Sequence, residues 1–217
     1  MTPIKVSVGP LATASANNIA LSQTPAGAGP ITLNGSTVTG GVAILDTPRE
    51  ILLTTNADET SKTFTVTGTN WSGDVISEVI KGVSSATAKS VLDYKTVTSI
   101  VASAATAAAI TFGTTTTAGS QWIRFDSWAS AAVAMQCVAS GTVSYTVQQS
   151  MDDPNSAAIP VTPANMTWES SLDTAAVTAT GTIATFFQYA PVWARIFLNS
   201  GTGSVTATAS QAGSVTY

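Results

Sequence analysis

Hydroxyl-bearing and apolar residues alternate along several short stretches of this chain. Residues 63–67 have the sequence Thr-Phe-Thr-Val-Thr, a period of two that is typical of a strand with one buried face. Turn-forming residues follow at 70–74 (Asn-Trp-Ser-Gly-Asp), and residues 75–80 are again rich in Val and Ile. The pattern therefore predicts an antiparallel hairpin.

The same alternation, with turn residues between the segments, predicts further strands. They are expected at 42–45, 50–54, 94–101, 109–112, 121–128, 132–139, 143–149, 192–198 and 204–210. Thr47-Pro48 predicts a turn, because the residue before a proline avoids the helical region. Residues 84–90 are the best candidate for a short helix. We expect a loop in the alanine-rich run 102–109, which lacks a long apolar stripe despite the helix propensity of alanine.

Prolines and a threonine run divide the chain into three parts. Residues 1–38 contain four prolines and predict an extended arm. Residues 114–120 (Thr-Thr-Thr-Thr-Ala-Gly-Ser) predict a linker between a first domain, 39–118, and a second domain, 119–217. The expected fold class is all-β, with two sandwich-like antiparallel β-domains and an extended N-terminal arm.

Charged residues make up only 9% of the 217 positions, whereas an average soluble domain carries about 25%. Much of the surface must therefore consist of Thr, Ser, Asn and Ala. Removing water from a hydroxyl or methyl group costs less free energy than removing it from an ion. The composition therefore favours a part of a larger assembly, with an extracellular β-protein bearing a threonine-rich face as the alternative.

The charge balance and the hydropathy pattern limit the partners. The net charge is −4 and the eight Lys and Arg residues are scattered, whereas a nucleic-acid partner needs a basic face. No stretch reaches the roughly 18 apolar residues of a membrane span. The apolar run near the N-terminus is too short for a signal peptide. We expect no nucleic acid and no membrane as partner, and synthesis in the cytoplasm.

Few residues are available for catalysis or metal binding. The chain has no His and a single Cys, Cys137, which excludes His-based triads, His or multi-Cys metal sites and an internal disulfide. We expect Cys137 to be a small buried hydrophobe. Asp152-Asp153-Pro154 predicts a turn, with a weak Ca²⁺ site as the alternative. We expect the chain to bind no cofactor.

One acidic pair lies near an aromatic residue. Glu169 and Asp173 lie near Trp168 in a long connection, residues 150–185. A glycosidase needs two carboxylates on either side of a sugar, but a solvated loop with Trp168 packed on its domain is the preferred interpretation. We expect the chain not to be an enzyme.

Apolar residues of the arm and aromatic residues of the second half are the candidates for protein–protein contact. The arm has no compact unit of its own to bury its apolar side chains. Its candidates are Ile4, Val6, Val8, Leu11, Ile19 and Leu21. Among the aromatic residues, Trp122, Trp168 and Phe187 are interface candidates, whereas Trp128 and Trp193 are expected in the core.

Several stretches resemble a strand-and-turn pattern found in structural proteins of tailed bacteriophages. They are residues 45–49 (Leu-Asp-Thr-Pro-Arg), 63–69, 94–100, 141–147 with 152–154, and 201–205. The resemblance covers most of residues 31–217 and carries no catalytic motif. It implies a virion component present in many copies: a head decoration protein, or a part of the collar, the head–tail connection or the tail. The implied partners are other copies of the chain and other virion proteins (capsid, portal or connector, or tail). The implied location is the virion, after synthesis in the host bacterium.

A second function stays open. A carbohydrate-binding or adhesin-like β-sandwich would use Trp168 and the connection 150–185 as a sugar platform. A glycan hydrolase acting through Glu169 and Asp173 is a third. A stable oligomer or a particle-bound form would favour the virion component, and a monomer that binds glycan through Trp168 would favour the adhesin.

Overall fold

The computed structural model describes residues 3–126 and 132–211 and has an all-β architecture, which confirms the predicted fold class. Its strands, in chain order, are β1 (Ile4–Val8), β2 (Ser15–Gln23), β3 (Gly29–Pro30), β4 (Val38–Thr39), β5 (Val42–Thr55), β6 (Thr63–Thr69), β7 (Val75–Lys81), β8 (Thr87–Lys89), β9 (Tyr94–Ala102), β10 (Ile110–Gly119), β11 (Ile123–Arg124), β12 (Val133–Ser140), β13 (Val143–Ser150), β14 (Glu169–Ser170), β15 (Ile183–Phe187), β16 (Trp193–Gly201) and β17 (Ser204–Gln211). Within these described ranges, helical structure is limited to 3₁₀ turns at Pro163–Asn165 and Thr174–Ala176.

The chain divides into two compact units. The central unit comprises Ala12–Thr116, and the terminal unit comprises Met1–Leu11 together with Thr117–Tyr217. The division near residue 116 falls inside the predicted linker 114–120, within strand β10. The division at residue 11 replaces the predicted boundary at 38/39. Residues 1–38 are not an extended arm, because β1 pairs with β17 while β2 pairs with β10 and β3 with β9.

The central unit is built on an antiparallel sheet of strand order β10-β5-β9-β6-β7. Strand β2 adds to β10, β3 to β9, and both β4 and β8 to β5. Alternation along β6 places Phe64 and Val66 in the core, where the Phe64 ring meets Phe112 edge-on at 5.7 Å. The register of β6 with β7 runs from Thr63↔Lys81 to Thr69↔Val75, so the hairpin predicted from residues 63–80 is present.

Two local predictions in this unit are wrong and one is confirmed. Residues 84–90 form no helix; β8 instead pairs antiparallel with Leu52–Thr54 of β5. Thr47-Pro48 does not end a strand, since β5 continues through it while its pairing with β9 shifts register between Ile44 and Arg49. The run after Ala102 contains no helix, as expected for residues 102–109.

The terminal unit contains two antiparallel sheets around one core. The first has the order β1-β17-β12-β15. In the second, β16 pairs with β13, β11 and the last residues of β10, and β14 pairs with β13. Met135 and Val205 from the first sheet, and Tyr145 and Ile196 from the second, belong to the same buried cluster. A continuous core between two sheet faces is the sandwich-like arrangement expected from the sequence.

Of the strand predicted at 121–128, the structure describes residues 121–126, and among these only Ile123–Arg124 form a strand, which pairs with β16. Trp128 lies outside the described residues. The connection 150–185 carries β14 and both 3₁₀ turns, and its last three residues form the start of β15.

Candidate functional site

Strand register brings distant aromatic and arginine residues together on the terminal unit. Arg124 of β11 lies opposite Trp193 of β16, and Gln148 of β13 lies opposite Arg195. Alternation along β16 turns Ala194, Ile196 and Leu198 into the core. Trp193, Arg195 and Phe197 therefore occupy the other face of this sheet.

The side chains on that face form one contiguous cluster. The ring centroid of Trp122 lies 5.9 Å from that of Trp193 and 5.1 Å from that of Trp168. The Arg195 guanidinium carbon lies 4.3 Å from the Trp168 ring centroid and 5.5 Å from that of Phe197. Arg124 lies over Trp193 at 5.5 Å. We name this set the aromatic–arginine cluster: Trp122, Arg124, Trp168, Trp193, Arg195 and Phe197.

Hydrogen bonds fix both arginines of the cluster. Arg195 Nε donates to Gln148 Oε1 at 2.8 Å, and Arg124 Nη2 forms an ion pair with Asp153 Oδ2 at 3.0 Å. Arg195 is 8% exposed, whereas Trp122 and Trp168 are half-buried. Cation–π contacts contribute about 0.5–2 kcal/mol each, with the higher values at desolvated positions. The cluster therefore ties the connection 150–185 to the sheet.

The carboxylates of the connection close turns. Asp153 Oδ1 accepts from the Asn155 amide at 2.9 Å, in the turn predicted for residues 152–154, and Asp152 Oδ2 accepts from the Thr167 amide at 2.6 Å. Asp173 Oδ1 accepts from the Ala175 amide and its Oδ2 from the Thr185 hydroxyl, at 3.0 and 2.8 Å. Across residues 3–126 and 132–211, no three His, Cys, Asp or Glu side chains are grouped to hold a metal ion.

The central unit presents an outward sheet face with few charges, on which Lys81, paired with Thr63 at the end of β7, is the one charged residue of the β6–β7 rows. Strands β7, β6 and β9 align their outward residues in rows, among them Val79–Thr65–Val101 and Ser77–Thr67–Ser99. Val79 is 61% exposed and Val75, in the next row beside Thr69, is 74% exposed. We name this surface the valine–threonine face: Val75, Ser77, Val79, Thr65, Thr67, Thr69, Ser99 and Val101. Exposed apolar side chains next to one another mark contact surfaces more often than scattered ones do.

The first sheet of the terminal unit has a similar outward face. Its rows are Ser7–Thr206–Val138, Lys5–Thr208–Gln136–Ala184 and Ser210–Ala134–Phe186. Lys5 is the one charged residue in these three rows, and Phe186 is 61% exposed.

The predicted interface residues divide into buried and accessible positions. Val6, Val8, Ile19 and Phe187 are buried in their own units, so they are not surface residues of the chain as it is folded here. Phe187 stacks on Phe125 at 5.6 Å, and strand alternation makes its neighbour Phe186 the exposed one.

The other five predicted positions keep some exposure. Ile4 and Leu21 are exposed, and Leu11 is partly buried against the core of the terminal unit. Trp122 and Trp168 meet in the aromatic–arginine cluster. Arg195, Phe197 and the valines of β7 and β9 are not among the contact residues predicted from the sequence. The period-two pattern of residues 63–80 contained the signal for the β7 valines.

Cys137 is buried among the apolar residues of the terminal unit. Burial raises the pKa of the Cys137 thiol to about 12. The thiol therefore stays protonated near neutral pH, which makes it a poor nucleophile and a poor metal ligand. The sequence-based interpretation of Cys137 as a small buried hydrophobe is confirmed.

No protein-family model and no curated protein matches this chain. Within the described residues, no helix has the length and apolarity needed to cross a membrane.

Proposed function

We propose that this chain is a non-enzymatic structural subunit of a tailed-bacteriophage virion, assembled in many copies on the head or at the collar, head–tail connection or tail. The observation that carries the proposal is the outward sheet face of each unit, on which Val, Thr, Ser and Ala predominate and a single lysine, Lys81 or Lys5, supplies the charge in the paired rows described. The resemblance of residues 31–217 to phage structural proteins supports the virion as the assembly. The chain's partners are then other copies of itself and other virion proteins.

The physical support comes from desolvation. Contact surfaces made of Val, Thr and Ser lose water at a lower cost than charged ones, and the valine–threonine face carries no charge. Binding to neighbours also stabilises each folded copy by mass action. A chain with 9% charged residues therefore gains more from symmetric neighbours than a typical soluble monomer does.

A lysine on the valine–threonine face is expected to weaken self-assembly. Val79→Lys places an ammonium group in the row Val79–Thr65–Val101 of the face. Burying that group unpaired costs more than the about 1.4 kcal/mol that corresponds to a tenfold change in affinity. We expect the concentration for half-assembly, measured by sedimentation velocity, to rise at least about tenfold.

Val91→Lys is the matched control, because Val91 is 82% exposed and lies outside the face. This variant should assemble as the unchanged chain does. Equal effects of the two substitutions would exclude the valine–threonine face as a contact surface. An unchanged chain that remains monomeric over the whole concentration series, and that antibody labelling does not find on phage particles, would refute the proposed function.

The carbohydrate-binding alternative rests on the half-buried rings of Trp122 and Trp168. Arg195 already covers one face of Trp168, which leaves less of the ring for a sugar to stack on. If this alternative holds, Trp168→Ala abolishes binding on a glycan array while Trp71→Ala, in the central unit, leaves it unchanged. We expect neither variant to change glycan binding, because the unchanged chain should bind none of the glycans.

A further inference from the structure

The terminal unit is assembled from two separate parts of the chain. Residues 1–11 supply strand β1, and the rest of the unit begins at Thr117. Strand β1 lies at one edge of its sheet and pairs only with β17 among the described strands, in a register running from Ile4↔Ala209 to Val8↔Val205. An edge strand that pairs on one side only is the kind of element that can be supplied by another molecule.

The contacts of β1 with the edge of β17 are specific in side chain and in register. Val6 and Val8 point into the core and are buried there, while the Ser7 hydroxyl lies 3.0 Å from the Thr206 hydroxyl on the outer side. At the end of the strand, Gly9 has φ +78° and packs so close to Gly203 that a Cβ would overlap the Gly203 carbonyl. The edge of β17 thus accepts one sequence in one register.

The segment that joins β1 to β2 is anchored beyond its midpoint. The Ala12 amide donates to Asp46 Oδ2 at 2.7 Å, and the Ala12 carbonyl accepts from Arg49 Nη2 at 2.9 Å. An ion pair of 3.1 Å between Arg49 and Asp46 holds the two groups in place. This clamp fixes residue 12 to the central unit, whereas residues 9–11 lie outside any strand and can redirect β1.

We infer that β1 is exchanged between copies, so that residues 4–8 of one copy occupy the β17 edge of its neighbour. This inference rests on the proposed multi-copy assembly. An exchanged strand makes the same contacts as the intramolecular one, which is why strand swapping is a low-cost route to oligomers. Ser7 and Thr206 are 199 positions apart in the chain, so β1 and β17 are not joined by a short hairpin turn. The β17 edge of a neighbour held at high local concentration can therefore compete for β1.

Strand exchange also limits the distance between two neighbouring copies. The four steps from Val8 to the clamped Ala12 span at most about 14 Å when extended, at roughly 3.3–3.6 Å per residue. The β17 edge of the neighbouring copy must therefore lie within that reach of Ala12, so exchange takes place only between adjacent copies. It turns the buried residues Val6 and Val8 into contacts between subunits, although each is buried in the folded chain.

Mixed disulfides test the exchange directly. One variant carries Ser7→Cys and a second, size-tagged variant carries Thr206→Cys; opposed residues of an antiparallel pair have the Cβ separation that a disulfide requires. Cys137 can stay, because its buried thiol is protonated near neutral pH. After co-expression and mild oxidation, we expect a covalent dimer that contains one chain of each variant. The matched control replaces Thr206→Cys by Ser210→Cys, on the same face but four residues along β17, and should give no such dimer.

The outcomes separate the two proposals. A chain that assembles in sedimentation but gives no mixed dimer, while the double variant Ser7→Cys/Thr206→Cys closes its bridge within one chain, refutes strand exchange and leaves the proposed assembly standing. A chain that stays monomeric under all conditions refutes both. Equal amounts of mixed dimer from the Thr206→Cys and Ser210→Cys partners would also refute the exchange. The disulfides would then come from random encounters between chains and not from β1 paired in register with β17.

Discussion

Removal of residues 1–11 is expected to lower the free energy of unfolding of the terminal unit by about 3–6 kcal/mol. The deletion removes the buried side chains of Val6 and Val8, each worth about 1.5–3 kcal/mol, and leaves β17 paired on one side only, with β12. A typical domain is stable by only about 5–15 kcal/mol. The truncated unit should therefore unfold at a much lower urea concentration, which tryptophan fluorescence will detect because Trp122, Trp168 and Trp193 all lie in this unit.

Two controls show whether the effect comes from strand β1 itself. One tests the contribution of its surface charge, and the other tests whether β1 must be covalently attached. Lys5→Ala changes an exposed position of β1 and should move the urea midpoint very little. A synthetic peptide of residues 3–11, added to the truncated chain, should restore part of the lost stability, and above its Kd the gain should rise with the logarithm of the peptide concentration. An unchanged midpoint after truncation would mean that β1 contributes nothing to the core of the terminal unit.

The sequence predicted those elements whose partners are close in the chain. The hairpin of β6 and β7 needs only the alternation of residues 63–80 and the turn at 70–74, and both are local. The absence of a helix after Ala102 also followed from a local pattern. The helix predicted for residues 84–90 is absent, because β8 forms its hydrogen bonds with β5, more than thirty positions earlier. No local sequence pattern encodes that pairing. Tertiary pairing overrode the local preference in this segment.

The N-terminal region shows the same limit more clearly. Four prolines and a lack of charge in residues 1–38 predicted an arm, yet β1 and β2 pair with β17 and β10. The spacing of Val6 and Val8 is local and does not specify which sheet β1 joins. The aromatic–arginine cluster was partly predictable, since Trp122 and Trp168 were selected as candidates. Its arginines were not, because the register of β11 and β13 on β16 brings Arg124 and Arg195 to the rings.

Replacement of Glu59 by alanine is expected to cost the central unit about 3 kcal/mol, the lower end of the range for breaking a buried ion pair. Glu59 is fully buried; its carboxylate pairs with Lys62 and accepts from the amides of Ala107 and Ala108 at 2.7 and 3.2 Å. Alanine would leave those amides and the Lys62 ammonium without this acceptor. Lys62 retains some access to water, which moderates the loss. Urea unfolding followed by circular dichroism measures the change, and Glu169→Ala, at an exposed carboxylate, should stay within about 0.5 kcal/mol.

Acid should weaken the central unit through the same carboxylate. Burial alone would raise the pKa of Glu59, but the Lys62 ammonium and the amides of Ala108 and Ala107 hold that pKa below its usual value of 4.5. A lowered pKa in the folded state stabilises the fold above the unfolded-state pKa, and this stabilisation is lost as the pH falls through the folded-state value. Glu59→Gln keeps an oxygen acceptor but cannot titrate, so its stability should fall less steeply below pH 4.5 than that of the unchanged chain. Hydrogen bonds from Thr60 also lower the pKa of neighbouring Asp58. Because Asp58 is present in both chains, the difference in acid sensitivity between them reports on Glu59. Parallel loss of stability in the two chains would show that the Glu59 carboxylate does not contribute to acid sensitivity.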